Sequence, residues 1–199
     1  MADPVRAAVT AHYDERAATY DDNEMHRGLA AAVARFAGPV RGLVVDVATG
    51  TGLVLRELAG GSGRLLGVDL SQRMLTVARA ALPSAAWARA DAAALPVPDA
   101  SVDLLTCVTA LHLFRDPSAV VVEWRRVLAS GGRIVTATFG PPGAGAGAPP
   151  PRDFPRRHDL YRSPELVAAL FADQGVRLTR QEHWTDASGT DRLVLCELS

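Results

Sequence analysis

Short apolar runs and amphipathic segments alternate along this chain from end to end. Asp3-Pro4 sets a capping residue ahead of a proline and predicts a helix from there through about His12. Leu29, Val33 and Phe36 recur at helical spacing, so a second helix is expected over Met25–Phe36, stopped by Gly38-Pro39. Leu43–Val47 is a continuous apolar run of strand length, and Leu53–Leu58 begins a helix. Arg64–Val68 reads as a second strand, ending at Asp69. Ser71 can cap a helix that turns Met74, Leu75 and Ala78 inward until Pro83 ends it. Ala86–Arg89 and Val102–Val108 are strands. Asp116-Pro117 opens a helix in which Val120, Val121, Trp124, Val127 and Leu128 share a face. Gly131-Gly132 is expected to close it, ahead of a strand over Arg133–Thr138. Ser163-Pro164-Glu165 starts a helix through about Phe171. Val176–Trp184 and Arg192–Leu198, around a turn at Asp186–Gly189, read as an antiparallel pair.

Strand–helix alternation of this kind implies α/β architecture. The expected fold is a doubly wound, Rossmann-like, mostly parallel seven-stranded sheet with one antiparallel strand near the C-terminus and helices on both faces. With 199 residues and 48% hydrophobic residues, the chain suits a single domain over 1–199. Residues 1–38 are expected to form an N-terminal helical lid. Residues 140–160, rich in Gly, Ala and Pro at their start, are expected to be a mobile loop.

The net charge of −1 gives no global field to attract nucleic acid or an anionic membrane, and neither is expected as a partner. The arginines around 152–157 read as a small local cluster on a solvated loop. Cys107 and Cys196 lie inside apolar runs, which favours two buried free thiols. No C-x-x-C or H-E-x-x-H occurs, so no metal is expected. The first residues lack a basic stretch followed by an apolar core, and no apolar run approaches the roughly 18 residues that span a bilayer. A cytoplasmic monomer or homodimer is the expectation.

The most informative stretch is Val44-Val45-Asp46-Val47-Ala48-Thr49-Gly50-Thr51-Gly52. A buried strand runs into a glycine-punctuated turn, which in an open α/β sheet lies at the carboxyl edge where ligands bind. Asp46, Asp69 and Asp91 sit at or just past the ends of successive strands, so all three are expected to face one crevice. A carboxylate after the second strand can accept from a ribose diol, and one after the third from an exocyclic amine. Asp46 can orient the turn or hold an ammonium through water. A dinucleotide fingerprint would need a small residue where Leu55 stands, and no Lys-Ser/Thr follows to make a P-loop. A ligand without a pyrophosphate fits better.

These residues resemble the class I S-adenosylmethionine-dependent methyltransferases, closest to the small-molecule branch of ubiquinone and menaquinone biosynthesis. Val45–Gly52 resembles the glycine-rich first motif, Leu66–Ser71 the acidic second, and Ala90–Pro96 with Asp99–Asp103 the adenine loop and fourth strand. Leu128–Gly132 resembles the turn before the fifth strand, with Ser130 where proline is usual. The likeness spans about residues 10 to 138. It implies S-adenosyl-L-methionine as cofactor and a small-molecule methyl acceptor. It implies that Ala48, Thr49, Gly50 and Gly52 approach the methionyl part, with Asp46 beneath them. Asp69 would bind the ribose hydroxyls, Leu70 would pack on adenine, and Asp91 with the Ala92 backbone would take the adenine edge. Val108 and Thr109 would lie beside the sulfonium. Tyr13 and Tyr20, in the segment before the first motif, would close over the cofactor or simply pack the helices.

In-line methyl transfer asks the protein mainly to align the nucleophile and exclude water. His112, just after the fourth strand, is the candidate general base; a packing histidine is the other reading. His26 and His158 flank segments that could cover the crevice, and His183 reads as structural. The Gly143–Pro149 stretch could be an ordering lid or an inert linker. Two alternatives stand beside methyl transfer: an NAD(P)-dependent oxidoreductase, and a protein that binds S-adenosylmethionine without catalysis.

Overall fold

Every strand expected from the apolar runs pairs into one sheet. The computed structural model describes residues 3–61, 63–141 and 152–199. Strands β1 (Leu43–Val47), β2 (Arg64–Asp69), β3 (Ala86–Arg89), β4 (Val102–Val108), β5 (Leu128–Phe139), β6 (Leu178–Thr185) and β7 (Arg192–Leu198) run in the order β3-β2-β1-β4-β5-β7-β6. β1 to β5 pair in parallel, and β7 lies antiparallel between β5 and β6. The order reverses between β1 and β4. The crevice outside that reversal is where doubly wound sheets bind ligands.

Side chains alternate across the central strands with period two. Val44, Leu104 and Val135 pack toward Leu29, Val33 and Phe36 of α2 (Glu24–Ala37) and Val54 and Leu55 of α3 (Leu53–Leu58). Val45, Leu105 and Ile134 pack toward Trp124 and Val127 of α5 (Pro117–Val127) and Val167 and Phe171 of α6 (Pro164–Phe171). Between α3 and α5 in the chain lies α4 (Gln72–Ala81), whose Met74, Leu75 and Ala78 are buried. The helix starts follow their capping signals. Asp3 accepts from Val5 N–H at the head of α1 (Pro4–Arg16), and Ser71, Asp116 and Ser163 cap α4, α5 and α6.

β5 departs from expectation. It begins at Leu128, five residues ahead of Arg133, because α5 ends at Val127 and Leu128 turns straight into extended backbone. Gly131-Gly132 therefore does not stop the helix. Gly131 takes φ +74, and the β4–β5 register jumps from Val102↔Leu128 to Leu104↔Arg133, a bulge at the strand's entry.

Trp87 on β3 has no counterpart in the sequence reading. Its ring lies over two glycines: a Cβ on Gly67 would sit 2.3 Å from Trp87 Cζ3, and one on Gly52 would sit 2.5 Å from Trp87 Cη2. Gly67→Ala is therefore expected to destabilise the fold by about 1–3 kcal/mol, the usual cost of overpacking. Urea denaturation would report it as a lower midpoint with an unchanged slope; an unchanged midpoint would contradict this packing.

The N-terminal segment divides in two. α2 belongs to the core layer, whereas α1 has no buried residue and lies over the carboxyl edge of the sheet, packed on α4. Most of the loop expected over 140–160 lies outside the described residues, as does the Gly143–Pro149 stretch. No helix among the described residues is long and apolar enough to cross a membrane.

Candidate active site

The carboxyl edge of β1, β2 and β4 opens into a cavity of about 350 Å3, roofed by α1 and the 3-10 turn at Tyr20–Asp22. Ten of the residues singled out in the sequence line it: Tyr13, Tyr20, Ala48, Gly50, Asp69, Leu70, Asp91, Ala92, Val108 and Thr109. Asp46, Thr49, Gly52 and His112 do not.

Asp46 lies beneath the turn, 2% exposed. It accepts from Thr49 Oγ1 and from Thr106 Oγ1, both at 2.6 Å, so it ties the corner to β4. Burial pushes its carboxyl up to about 6. Of its two suggested roles, the contacts are those of a residue that orients the turn. Gly52 opens α3 with φ +79 and its close approach is to Trp87, not to the cavity. Gly50, at φ +55, turns its N–H onto Asp69 Oδ2 at 2.8 Å. Ser71 N–H holds the other oxygen, Asp69 Oδ1, at 2.8 Å. Two backbone donors thus fix the Asp69 carboxylate against the cavity, while burial, partly offset by those donors, raises its pKa. Each oxygen keeps an acceptor site for a ligand hydroxyl.

Two further features escaped the sequence reading. Ala48 and Thr109, at the ends of β1 and β4, have φ of +55 and +53. A β-branched residue in that region is strained, and such strain concentrates at functional sites. Thr109 N–H is held by Ala137 O at 2.8 Å, which keeps it there. No residue-type signal marks either position, since both would prefer ordinary backbone. The second feature is the pinning of α1. Arg6 pairs with Asp91, whose other oxygen accepts from Ala93 N–H at 3.1 Å; Arg115 pairs with Asp3 at 3.1 Å; and Asp14 accepts from Ser71 Oγ at 2.5 Å. These contacts span the cavity mouth. The far wall is set by α5, where Trp124 Nε1 donates to Ala92 O at 3.2 Å and Glu123 accepts from Leu95 N–H at 2.6 Å.

The roof is aromatic. Tyr20 stacks on His26 at 4.2 Å, meets Tyr13 edge-on at 6.3 Å, and hydrogen-bonds the Thr109 side chain. Burial raises both phenols, so they remain neutral donors at neutral pH. His112 sits behind the wall formed by Ala110 and Leu113, 7% exposed and stacked on His158 at 3.9 Å. Burial, with His158 and Arg156 nearby, lowers its pKa to about 3, leaving a neutral and weakly basic ring. His183 is exposed on β6. Among the described residues no group of three or more His, Cys, Asp or Glu could hold a metal ion, and both cysteines are buried and free.

The chain is similar to known methyltransferases. A family described as a methyltransferase domain matches residues 45–136. A demethylmenaquinone methyltransferase of Clavibacter sepedonicus is 32% identical over 176 residues, covering 80% of this chain and 67% of the relative. Another, of Thermus thermophilus, is 39% identical over 110 residues, covering 52% of this chain and 50% of the relative. The chain spans about half the length of several curated relatives that it matches. Among solved structures, a chain of the Haloferax volcanii complex between a methyltransferase activator and a methyltransferase superposes with a TM-score of 0.75 at 21% identity, covering 96% of both chains.

Proposed function

The chain belongs to the class I S-adenosylmethionine-dependent methyltransferases, in the branch that holds the ubiquinone and menaquinone biosynthesis enzymes, and on that premise we propose that it methylates a small-molecule acceptor on O, N or C. The observation that carries the proposal is the Asp69 carboxylate, clamped by Gly50 and Ser71 N–H at the cavity wall between the glycine corner and Asp91. The cavity suits the cofactor: it lies at the switch point, offers a fixed acceptor for a diol, and is walled mainly by apolar side chains. Bound there, S-adenosylmethionine supplies an activated methyl group and a neutral thioether as leaving group.

In this reading Asp69 accepts from the ribose hydroxyls, Leu70 packs on adenine, and Asp91 with the Ala92 backbone takes the adenine edge. Ala48, Gly50, Val108 and Thr109 line the methionyl end, while Asp46, Thr49 and Gly52 keep the corner in shape behind them. Tyr13 and Tyr20 cover the site and exclude water. A base with the low basicity of His112 gives little driving force for proton abstraction. Catalysis then rests on alignment, worth several orders of magnitude by itself. The nicotinamide alternative finds no support, because Leu55 is fully buried where a dinucleotide turn needs a small residue.

Isothermal calorimetry with S-adenosylmethionine, S-adenosylhomocysteine and NADH tests the proposal. Binding of the first two at a 1:1 ratio and none of the third is expected; NADH binding without S-adenosylhomocysteine binding would overturn it.

A further inference from the structure

Three carboxylates hold the glycine corner after β1. Thr49 Oγ1 donates to Asp46, and Gly50 N–H donates to Asp69. The third tie comes from the roof: Thr51 Oγ1 donates to Asp21 Oδ1 at 2.5 Å. Thr51 is fully buried, and neither it nor Asp21 lines the cavity. The other Asp21 oxygen, Oδ2, pairs with the Arg56 guanidinium of α3 at 2.5 Å. The Asp21 carbonyl accepts from the Arg27 guanidinium of α2. Asp21 thus draws the 3-10 turn at Tyr20–Asp22 onto the corner, α2 and α3 at once. That turn has no side-chain cap of its own. Tyr20, the residue before Asp21, does line the cavity. Its ring edge comes down on Gly50, where a Cβ would sit 3.9 Å from Tyr20 Cε1, and its hydroxyl bonds the Thr109 side chain. Its ring stacks on His26 at 4.2 Å, and His26 Nδ1 lies 3.3 Å from Tyr20 O.

We propose that Asp21 is a positioning residue for the amino-acid end of the cofactor: through Thr51 and Arg56 it holds Tyr20 over Gly50 and Thr109. This rests on the methyltransferase reading above, in which Gly50 and Thr109 line the methionyl end and Asp69, Leu70 and Asp91 take the adenosine. The two threonines that flank Gly50 run to different carboxylates, Thr49 to Asp46 and Thr51 to Asp21, so the corner and the roof are fixed relative to each other. Both bonds at the Asp21 carboxylate are charge-assisted, the stronger class of hydrogen bond. Asp21 and Arg56 are each 30% exposed, so water screens the pair only in part. Without the carboxylate, Thr51 and Arg56 lose their hold on the turn, and Tyr20 keeps only its contacts with His26, Tyr13 and Thr109. A misplacement of about 1 Å in such a wall is enough to be felt at the ligand. The adenosine end has its own supports, the Asp69 clamp and the Asp91 contacts, which do not pass through Asp21.

The test is calorimetry on the full chain with two ligands. S-adenosylhomocysteine carries the amino-acid tail; 5′-methylthioadenosine has the same adenosine and sulfur without it. Asp21→Ala should weaken S-adenosylhomocysteine about tenfold and leave 5′-methylthioadenosine within about twofold, a split that a general loosening of the fold would not give. Asp21→Asn still accepts from Thr51 and should recover part of the loss. Thr51→Val keeps the Asp21–Arg56 pair and should show the same split on a smaller scale, so it carries the comparison if Asp21→Ala fails to fold. In a Tyr20→Ala protein, adding Asp21→Ala should cost less than about twofold, because the residue it acts through is gone. Equal losses for the two ligands, no loss for either, or a full tenfold loss on the Tyr20→Ala background would overturn the proposal. A wild-type protein that binds neither ligand would instead sink the methyltransferase reading.

Discussion

Asp69→Ala is expected to weaken S-adenosylhomocysteine binding by about 2–3 kcal/mol, roughly 30- to 150-fold, with the protein still folded. Two effects add. The ligand's diol loses a charged acceptor, and Gly50 and Ser71 N–H lose the oxygens that now hold them at 2.8 Å each. The second effect loosens the glycine corner, so the loss should exceed that of one ordinary hydrogen bond. Asp69→Asn keeps one acceptor oxygen and should fall between the two proteins. Calorimetry measures the affinities and circular dichroism checks the fold. An Asp69→Ala protein that binds as tightly as wild type would remove this carboxylate from the site.

Asp46→Asn is expected to change how stability depends on pH. Burial raises the Asp46 carboxyl from 3.8 to about 6, so the folded state holds this proton more tightly than the unfolded chain. The contribution is fully present below about pH 4 and is lost as the pH rises through 6. By pH 8 the folded state carries a buried charge that costs about 2–3 kcal/mol relative to pH 4. Asparagine does not ionise and can still bridge Thr49 and Thr106. The stability of Asp46→Asn relative to wild type should therefore improve by about 2–3 kcal/mol between pH 4 and pH 8, measured by urea denaturation at both. A difference that does not change with pH would mean that Asp46 is already charged at no cost, by contacts other than the two threonines.

Local signals carried much of the fold. The Leu43–Val47 run, the spacing of Leu29, Val33 and Phe36, and the caps at Asp3, Ser71, Asp116 and Ser163 each reflect physics within a few residues, and the structure follows them. Gly131-Gly132 misled because a glycine pair reads the same whether it ends a helix or makes a bulge; the choice was made by pairing with Val102, distant in sequence. The crevice was legible for the same reason as the strands: acidic residues at strand ends are placed by sheet topology. What lay beyond reach were contacts between distant segments. Trp87 over Gly52 and Gly67, the reversed φ of Thr109, the Arg6–Asp91 pair and the His112–His158 stack all join parts of the chain that no local pattern relates. His112 shows the limit best. Its position after β4 suggested a base, whereas its basicity depends on burial and on Arg156 from a remote loop.

A crystal structure with S-adenosylhomocysteine bound is the decisive measurement of where the cofactor sits. The ribose hydroxyls are expected on Asp69, the adenine between Leu70 and Ala92, and the thioether sulfur beside Thr109 under Tyr13 and Tyr20. A ligand seated elsewhere on the molecule, or one in this cavity that leaves Asp69 untouched, would contradict it.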